Sequence, residues 1–126
     1  METDLNQLLG NYYWVFDGDS YTSQVAFENG LRAYAEELDL AFPEPSRINL
    51  KEIAVLLEYL DEKDQDHEVE FKLSADNDEF FSEIELLYKI NNKVTKLLAD
   101  LDAHFFEGLS LLEANNPPRY SLDLGS

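Results

Sequence analysis

The 126-residue sequence contains no cysteine and few basic residues, with 9 Lys and Arg against 27 Asp and Glu. The absence of cysteine excludes disulfides, thiolate metal ligands and cysteine nucleophiles. No apolar run approaches the roughly 18 residues that a membrane-spanning helix needs. The opening segment METDLNQLLG lacks the long apolar stretch of a secretory signal. We therefore expect a cytoplasmic protein that does not enter a membrane.

Enzyme signatures are also missing from the sequence. There is no P-loop, no GxGxxG and no GxSxG motif. His67 and His104 have no metal-binding spacing. A small enzyme that uses one of them is one hypothesis, beside the two binding functions described below. Asp17 to Asp19 begin like an EF-hand loop, but Tyr21 stands at the fifth position, where a ligand is needed. We expect no catalytic residue, no metal and no cofactor.

What the sequence does contain is enough apolar material for a folded core. Hydrophobic residues make up 44% of the chain, and the length fits one domain over residues 1–126. Residues 77–101 place apolar side chains at steps of three, four and seven, which predicts one long helix. Asn77 is expected to cap that helix through its side-chain oxygen.

Three shorter segments also show helical spacing. The first runs from the expected cap Thr3 to Gly10, and the second covers residues 22–38. The third begins at Asn49, has Glu52 at the capping-box position and places apolar residues at helical steps as far as Leu60. The sequence thus predicts about four helices.

Four segments are typical of strands. Residues 12–16 are aromatic and β-branched, and residues 67–73 alternate between apolar and polar side chains. Residues 104–113 and 120–124 flank a Pro-containing turn and predict a C-terminal β-hairpin, with a bulge at Gly108. We expect an α+β domain, in which a small antiparallel sheet of about four strands is packed on one face by the helices.

The charge is concentrated as well as large. The formal net charge is −18, and residues 58–85 hold twelve acids against two bases. Such a field repels nucleic acid and anionic membranes and speeds association with basic partners. The alternative interpretation is a solvated loop that keeps the protein soluble. The functional interpretation is a docking surface for a basic protein. We expect ten carboxylates to form it: Asp61, Glu62, Asp64, Asp66, Glu68, Glu70, Asp78, Glu79, Glu83 and Glu85.

The C-terminal hairpin carries a family resemblance. Phe106-Glu107-Gly108-Leu109 with Leu111, a turn with proline, and then residues 119–126, RYSLDLGS, resemble the closing strands of small bacterial immunity proteins. These proteins protect cells from polymorphic toxins, including those of contact-dependent growth inhibition systems. The resemblance implies a stoichiometric inhibitor that binds the toxin domain of a cognate effector.

Many such toxins are nucleases with basic substrate clefts, which an acidic inhibitor suits electrostatically. We therefore expect a non-enzymatic immunity protein whose partner is a basic toxin domain. It would not bind nucleic acid directly, and it would be a monomer or a weak dimer. The alternative is an acidic mimic of nucleic acid, of the anti-restriction or anti-CRISPR type, with carboxylates spaced like phosphates.

Overall fold

The computed structural model describes residues 5–125. Eight strands and two helices occur in this range. The strands are β1 (Gln7–Leu8), β2 (Trp14–Val15), β3 (Arg47–Ile48), β4 (Glu52–Leu60), β5 (Asp66–Ser74), β6 (Phe81–Ser82), β7 (Phe105–Glu113) and β8 (Arg119–Gly125). The helices are α1 (Gln24–Glu37) and α2 (Glu83–Leu98).

Six of the strands form one mixed sheet. Its order is β1-β7-β8-β4-β5, and β2 also pairs with β7. The β4–β8 pair is parallel, whereas the other pairs are antiparallel. Strands β3 and β6 form a separate two-stranded sheet. The nine-residue strand β5 therefore lies at one edge of the main sheet, and the two-residue strands β1 and β2 line the other edge.

Both helices pack on the same face of the sheet. Alternate residues of β4, among them Val55 and Leu57, join Leu31 of α1 and Ile90 of α2 in one buried cluster. The opposite face carries the intervening residues of each strand and is not covered by either helix. We call this second surface the open face.

The prediction of about four helices and about four antiparallel strands was wrong. The described residues form two helices and a mostly six-stranded mixed sheet with a small second sheet. The first predicted helix fails because residues 5–11 form turns around β1, with Leu9 at φ 62°. Its expected cap, Thr3, lies outside the described residues.

The helix predicted from Asn49 is strand β4. Its helical spacing arises because residues 53–57 are all apolar, and an unbroken apolar run satisfies helical and strand periodicities alike. The strand is central, between β5 and β8, and all five of those residues are buried. A central strand whose side chains are buried on both faces has this continuous pattern rather than an alternating one.

The long helix begins at Glu83 rather than near Asn77. Asn77 Oδ1 accepts hydrogen bonds from the backbone N–H of Glu79 and of Phe80, both at 2.9 Å, and so closes a turn. The helix cap is Ser82, whose hydroxyl accepts from the Glu85 N–H at 3.0 Å. An Asn side chain favours such turns as readily as helix caps, which explains the displaced start.

Several other predictions were confirmed. Helix α1, strand β5 and the hairpin of β7 and β8 lie within two residues of the predicted limits. The pairing of β7 with β8 shifts register between Phe106 and Gly108, as expected of the bulge. Gly108 has φ 118°, a conformation that other residues rarely adopt.

Candidate functional site

A cleft opens where β4 and β8 stop pairing. Their parallel ladder runs from Ala54 opposite Arg119 to Leu56 opposite Ser121. Beyond that point the tip of the β4–β5 hairpin and the segment after α2 enclose a volume of about 580 Å³. Among the described residues, the lining contains no Lys or Arg and includes seven Asp and Glu residues: Glu58, Asp61, Glu62, Asp64, Asp66, Asp100 and Asp102. We call this site the acidic cleft.

The floor of the acidic cleft is apolar. Leu101, Leu122 and Leu124 line it, and Leu122 is only 5% exposed. Leu122 and Leu124 lie on the helix-packed face of β8, whereas Glu58 and Asp66 point to the open face, so the carboxylates flank the apolar lining rather than encircle it. An apolar patch beside carboxylates fits a Lys or Arg side chain, which has an apolar stem and a cationic head. The cleft can hold a basic side chain by charge and by contact.

The hairpin tip is fixed by its own hydrogen bonds. Asp61 Oδ1 accepts from the backbone N–H of Lys63 at 2.8 Å and of Gln65 at 3.0 Å. Asp61 Oδ2 lies 2.7 Å from His67 Nε2. The hydrogen bond with His67, followed by the one from Gln65, lowers the pKa of Asp61 below its usual value. Asp61 therefore orders the tip, which includes the exposed Asp64 at φ 59°.

Strand β5 places three acidic side chains in a row on the open face. Asp66, Glu68 and Glu70 occupy alternate positions and are exposed. Glu70 forms an ion pair with Arg119, and Arg119 also binds Glu113 at 3.0 Å. No such pair is present among the described residues for Glu68, which lies directly opposite Glu58 in the β4–β5 register. The carboxylates of Glu58 and Glu68 face solvent as a like-charged pair.

Six of the ten predicted binding residues are brought together by the structure. Asp61, Glu62, Asp64 and Asp66 line the acidic cleft, and Glu68 and Glu70 continue from it along β5. Asp78 and Glu79 are exposed but follow the opposite end of β5. At about 3.3 Å per residue, that end lies roughly 26 Å from Asp66.

The last two predicted residues serve the fold. Glu83 Oε1 accepts a hydrogen bond from the Ser46 N–H at 2.7 Å and from the Tyr12 hydroxyl at 3.1 Å. Glu85 is 7% exposed, accepts from the Asp76 N–H at 2.8 Å and pairs with Lys89 at 2.9 Å. Burial opposes the charge on Lys89, but its bonds to Asp76 and Glu85 outweigh this effect and raise its pKa.

Sequence reasoning missed Asp100 and Asp102. The acidic tract was counted only as far as Glu85, and these two residues lie beyond α2 in the chain. Their approach to the hairpin tip depends on the parallel placement of β8 beside β4. Glu58 was within the acidic tract, but the helix predicted for its segment concealed its position opposite Glu68.

The two histidines do not meet. His67 stacks on Tyr59 with ring centroids 5.0 Å apart, and His104 Nδ1 contacts the carbonyl oxygen of Leu101. Within residues 5–125, no group of three or more histidine, aspartate or glutamate side chains is arranged to hold a metal ion. The carboxylates of the acidic cleft are thus not gathered around a single point.

A comparison with protein-family models, curated proteins and solved structures finds no match to the chain. In the described part of the chain, neither helix combines the length and the apolar character needed to cross a bilayer.

Proposed function

We propose that this chain is an acidic, non-enzymatic immunity protein that neutralises a cognate bacterial toxin domain by stoichiometric binding. The acidic cleft carries this proposal, because seven Asp and Glu residues and apolar leucines line it and none of the described lining residues is Lys or Arg. The proposed partner is a basic toxin domain, with a nuclease as the expected kind. The proposed compartment is the cytoplasm, where such a toxin would act.

The charge arrangement supports binding by electrostatic steering. A cleft lined by one sign of charge focuses the field and raises the rate at which an oppositely charged protein arrives. Inside the cleft, a Lys or Arg of the partner would meet several carboxylates while its stem covers Leu122 and Leu124. Stoichiometric inhibition of this kind requires no cofactor and no direct contact with nucleic acid or membrane. The chain would act as a monomer or a weak dimer.

The test uses the toxin domain encoded directly upstream of this chain in its native genome. Co-expression with the chain should restore growth, and the purified pair should associate more slowly as salt rises, with the dissociation rate changing less. The variant removes four charges by Asp64→Asn, Asp66→Asn, Glu68→Gln and Glu70→Gln. We expect it to slow association by about tenfold or more at low salt, because steering depends on these charges.

A matched control removes the same number of charges elsewhere. Glu36, Glu37, Asp39 and Glu44 are exposed on or after α1 and are changed to the corresponding amides. Asp39, at φ 56°, matches Asp64, at φ 59°, in backbone conformation. Binding and protection by the control should remain close to those of the unchanged chain. Equal effects of the two variants would refute the assignment of the acidic cleft and β5 as the binding surface.

A nucleic-acid mimic is the second candidate, and one observation favours it. Asp66, Glu68 and Glu70 alternate along an exposed strand, which spaces them at about 7 Å in a row. A mimic would compete with DNA or RNA for a nucleic-acid-binding protein. Neutralising Glu68 and Glu70 should then relieve that competition, whereas an immunity protein should protect against one toxin that is encoded beside it.

A further inference from the structure

The outer edge of β5 has no strand beside it in the described structure. β5 is the last strand of the sheet order, and all nine of its residues pair with β4 on the inner side. The opposite margin of the sheet ends in the two-residue strands β1 and β2. Short edge strands limit further pairing, whereas a long exposed edge offers a template for another strand.

The pairing pattern shows which backbone groups of β5 point outward. Asp61 N–H bonds to the Gln65 carbonyl at one end of the β4–β5 ladder, and Ala75 N–H bonds to the Lys51 carbonyl at the other. Antiparallel pairs alternate between bonded and non-bonded. In the register between these two ends, the backbone hydrogen bonds to β4 come from alternate residues of β5: His67, Val69, Phe71 and Leu73. The intervening residues of β5 direct both backbone groups away from β4.

The outward-pointing residues are Asp66, Glu68, Glu70 and Lys72, and all four are exposed. The next outward carbonyl, that of Ser74, accepts a hydrogen bond from Lys89 Nζ at 2.5 Å. The usable edge therefore ends near Lys72. Along this edge the same residues that offer free N–H and C=O groups also carry three carboxylates and one ammonium on the open face.

We propose that β5 receives an extended basic segment of the partner protein as an additional antiparallel strand of the sheet. This deepens the proposed function and rests on it, because it specifies how the basic partner docks. Basic side chains of the segment would lie opposite Asp66, Glu68 and Glu70, where opposite charges in cross-strand positions are favourable. The position opposite Lys72 would be acidic.

The side chains of β5 that point toward the helices determine which residues fit at the alternate positions of the partner segment. Val69 is 40% exposed, and Phe71 is partly exposed. Both side chains point to the side of the sheet on which the helices pack, so an added strand would cover them with apolar residues. The partner segment is thus expected to alternate basic and apolar residues, which is the strand-addition mode of peptide recognition.

A second copy of this chain is a poorer occupant of the edge. In an antiparallel overlap of two β5 strands centred on Glu68, Asp66 would face Glu70 and Glu68 would face its own copy. Like charges in directly opposite positions are destabilising. Each copy also carries a net charge of −18. Charge complementarity therefore favours a basic partner strand over self-association.

The test uses a synthetic peptide of sequence Glu-Val-Lys-Val-Lys-Val-Lys with blocked ends and a fluorescent label. Anisotropy at low salt measures its affinity for the full chain. A second peptide has the same sequence but carries N-methyl groups on the residues that would bond to β5, so it keeps the charge and loses the backbone donors. A third peptide exchanges Glu and Lys. We expect N-methylation to weaken binding by about tenfold or more, because several hydrogen bonds are lost together.

Amide exchange measured by NMR gives the readout specific to strand pairing. Bound peptide should slow exchange of the N–H groups of Glu68, Glu70 and Lys72. The N–H groups of Val69 and Phe71, which already bond to β4, should change much less. A merely electrostatic contact would not slow the exchange of Glu68, Glu70 and Lys72 selectively over that of Val69 and Phe71.

A pair of variants separates charge from backbone pairing in the protein itself. Glu68→Gln and Glu68→Pro both remove the charge, but only proline also removes the outward N–H, a loss that edge strands tolerate. Glu68→Pro should bind the peptide several-fold more weakly than Glu68→Gln. If Glu68→Pro does not fold, the comparison of the methylated and unmethylated peptides still decides the question.

Each other outcome overturns the proposal in a distinguishable way. Equal binding of the methylated and unmethylated peptides would refute strand pairing but leave the basic-partner function standing. Equal binding of the charge-exchanged peptide would refute charge recognition and count against both proposals. Absence of binding by the basic peptide would refute the docking mode. Concentration-dependent protection of the same N–H groups without peptide would assign the edge to a second copy of the chain.

Discussion

The directly opposed pair of Glu58 and Glu68 gives the sharpest test of whether the acidic surface is retained at a cost to stability. The two residues face each other across β4 and β5 in a position without direct backbone hydrogen bonds between them. Side chains in such positions have Cβ atoms about 4.5–5.5 Å apart, and like charges there are destabilising. Replacing one carboxylate by an amide of the same shape removes this repulsion and leaves the strand unchanged.

We expect Glu68→Gln to raise the free energy of unfolding by about 0.2–1 kcal/mol at low salt, the range measured for cross-strand pairs. For a chain of this length, such a gain corresponds to an increase in melting temperature of roughly 1–4 °C. Glu58→Gln should give a similar gain. The double variant should gain little more from this pair than either single change, because either one already abolishes the repulsion.

Urea denaturation at about 0.01 M and about 1 M salt measures the effect, since the Debye length falls from about 30 Å to about 3 Å over this range. The gain should largely disappear at high salt. Glu44→Gln is the control, because it removes the same charge from the exposed linker before β3. Loss of stability in Glu68→Gln, or a gain that persists in 1 M salt, would refute the repulsion argument. A gain matched by Glu44→Gln would instead indicate relief of net charge alone.

Three further predictions concern groups that hold the site in place. Asn91→Leu removes the acceptor, at 2.9 Å, of the indole N–H of Trp14, the single tryptophan, and should lower the free energy of unfolding by about 1–3 kcal/mol. Urea denaturation followed by tryptophan fluorescence measures this, and a loss below about 1 kcal/mol would contradict it. Gly108→Ala, at φ 118°, should cost about 1–3 kcal/mol in the same assay, and unchanged stability would show that the bulge relaxes. The pKa of Asp61 is lowered chiefly by its hydrogen bond with His67, so its stabilisation is complete above the unfolded pKa and is lost as pH falls through the folded pKa. Asp61→Asn should therefore be less stable than the unchanged chain at about pH 6, and the difference should shrink as pH falls through the folded pKa of Asp61. A difference that stays constant on acidification would refute the argument.

Strand β5 and the C-terminal hairpin could be predicted because their residues alternate between a buried and an exposed face. Gly108 interrupts that alternation and so indicates the bulge from the sequence alone. Strand β4 could not be predicted in the same way. Ala54 and Leu56 point to the open face yet are only 5% and 6% exposed, so the apolar run had no alternation to reveal a strand.

Only part of the acidic cleft could be predicted from the sequence. The carboxylates of the hairpin tip all lie between residues 61 and 66 and were identified as part of one acidic tract. Asp100 and Asp102 join them because β8 runs parallel to β4, and this pairing depends on a long crossover that local pattern does not encode. The internal roles of Glu83 and Glu85 were hidden for the same reason, since their partners Ser46 and Asp76 lie elsewhere in the chain.

The distribution of the few cations argues that the acidity of the cleft is not a general surface property. Three cations form ion pairs with nearby acids: Lys89 with Glu85 and Asp76, Arg119 with Glu70 and Glu113, and Arg32 with Glu28. These pairs neutralise acids along the helices and in the middle of the open face, whereas none of the described residues that line the acidic cleft is Lys or Arg. Solubility requires net charge but not its concentration beside an apolar floor, where mutual repulsion opposes folding. A basic partner would remove that repulsion on binding, so opposed carboxylates such as those of Glu58 and Glu68, which repel each other in the free protein, would stabilise the complex.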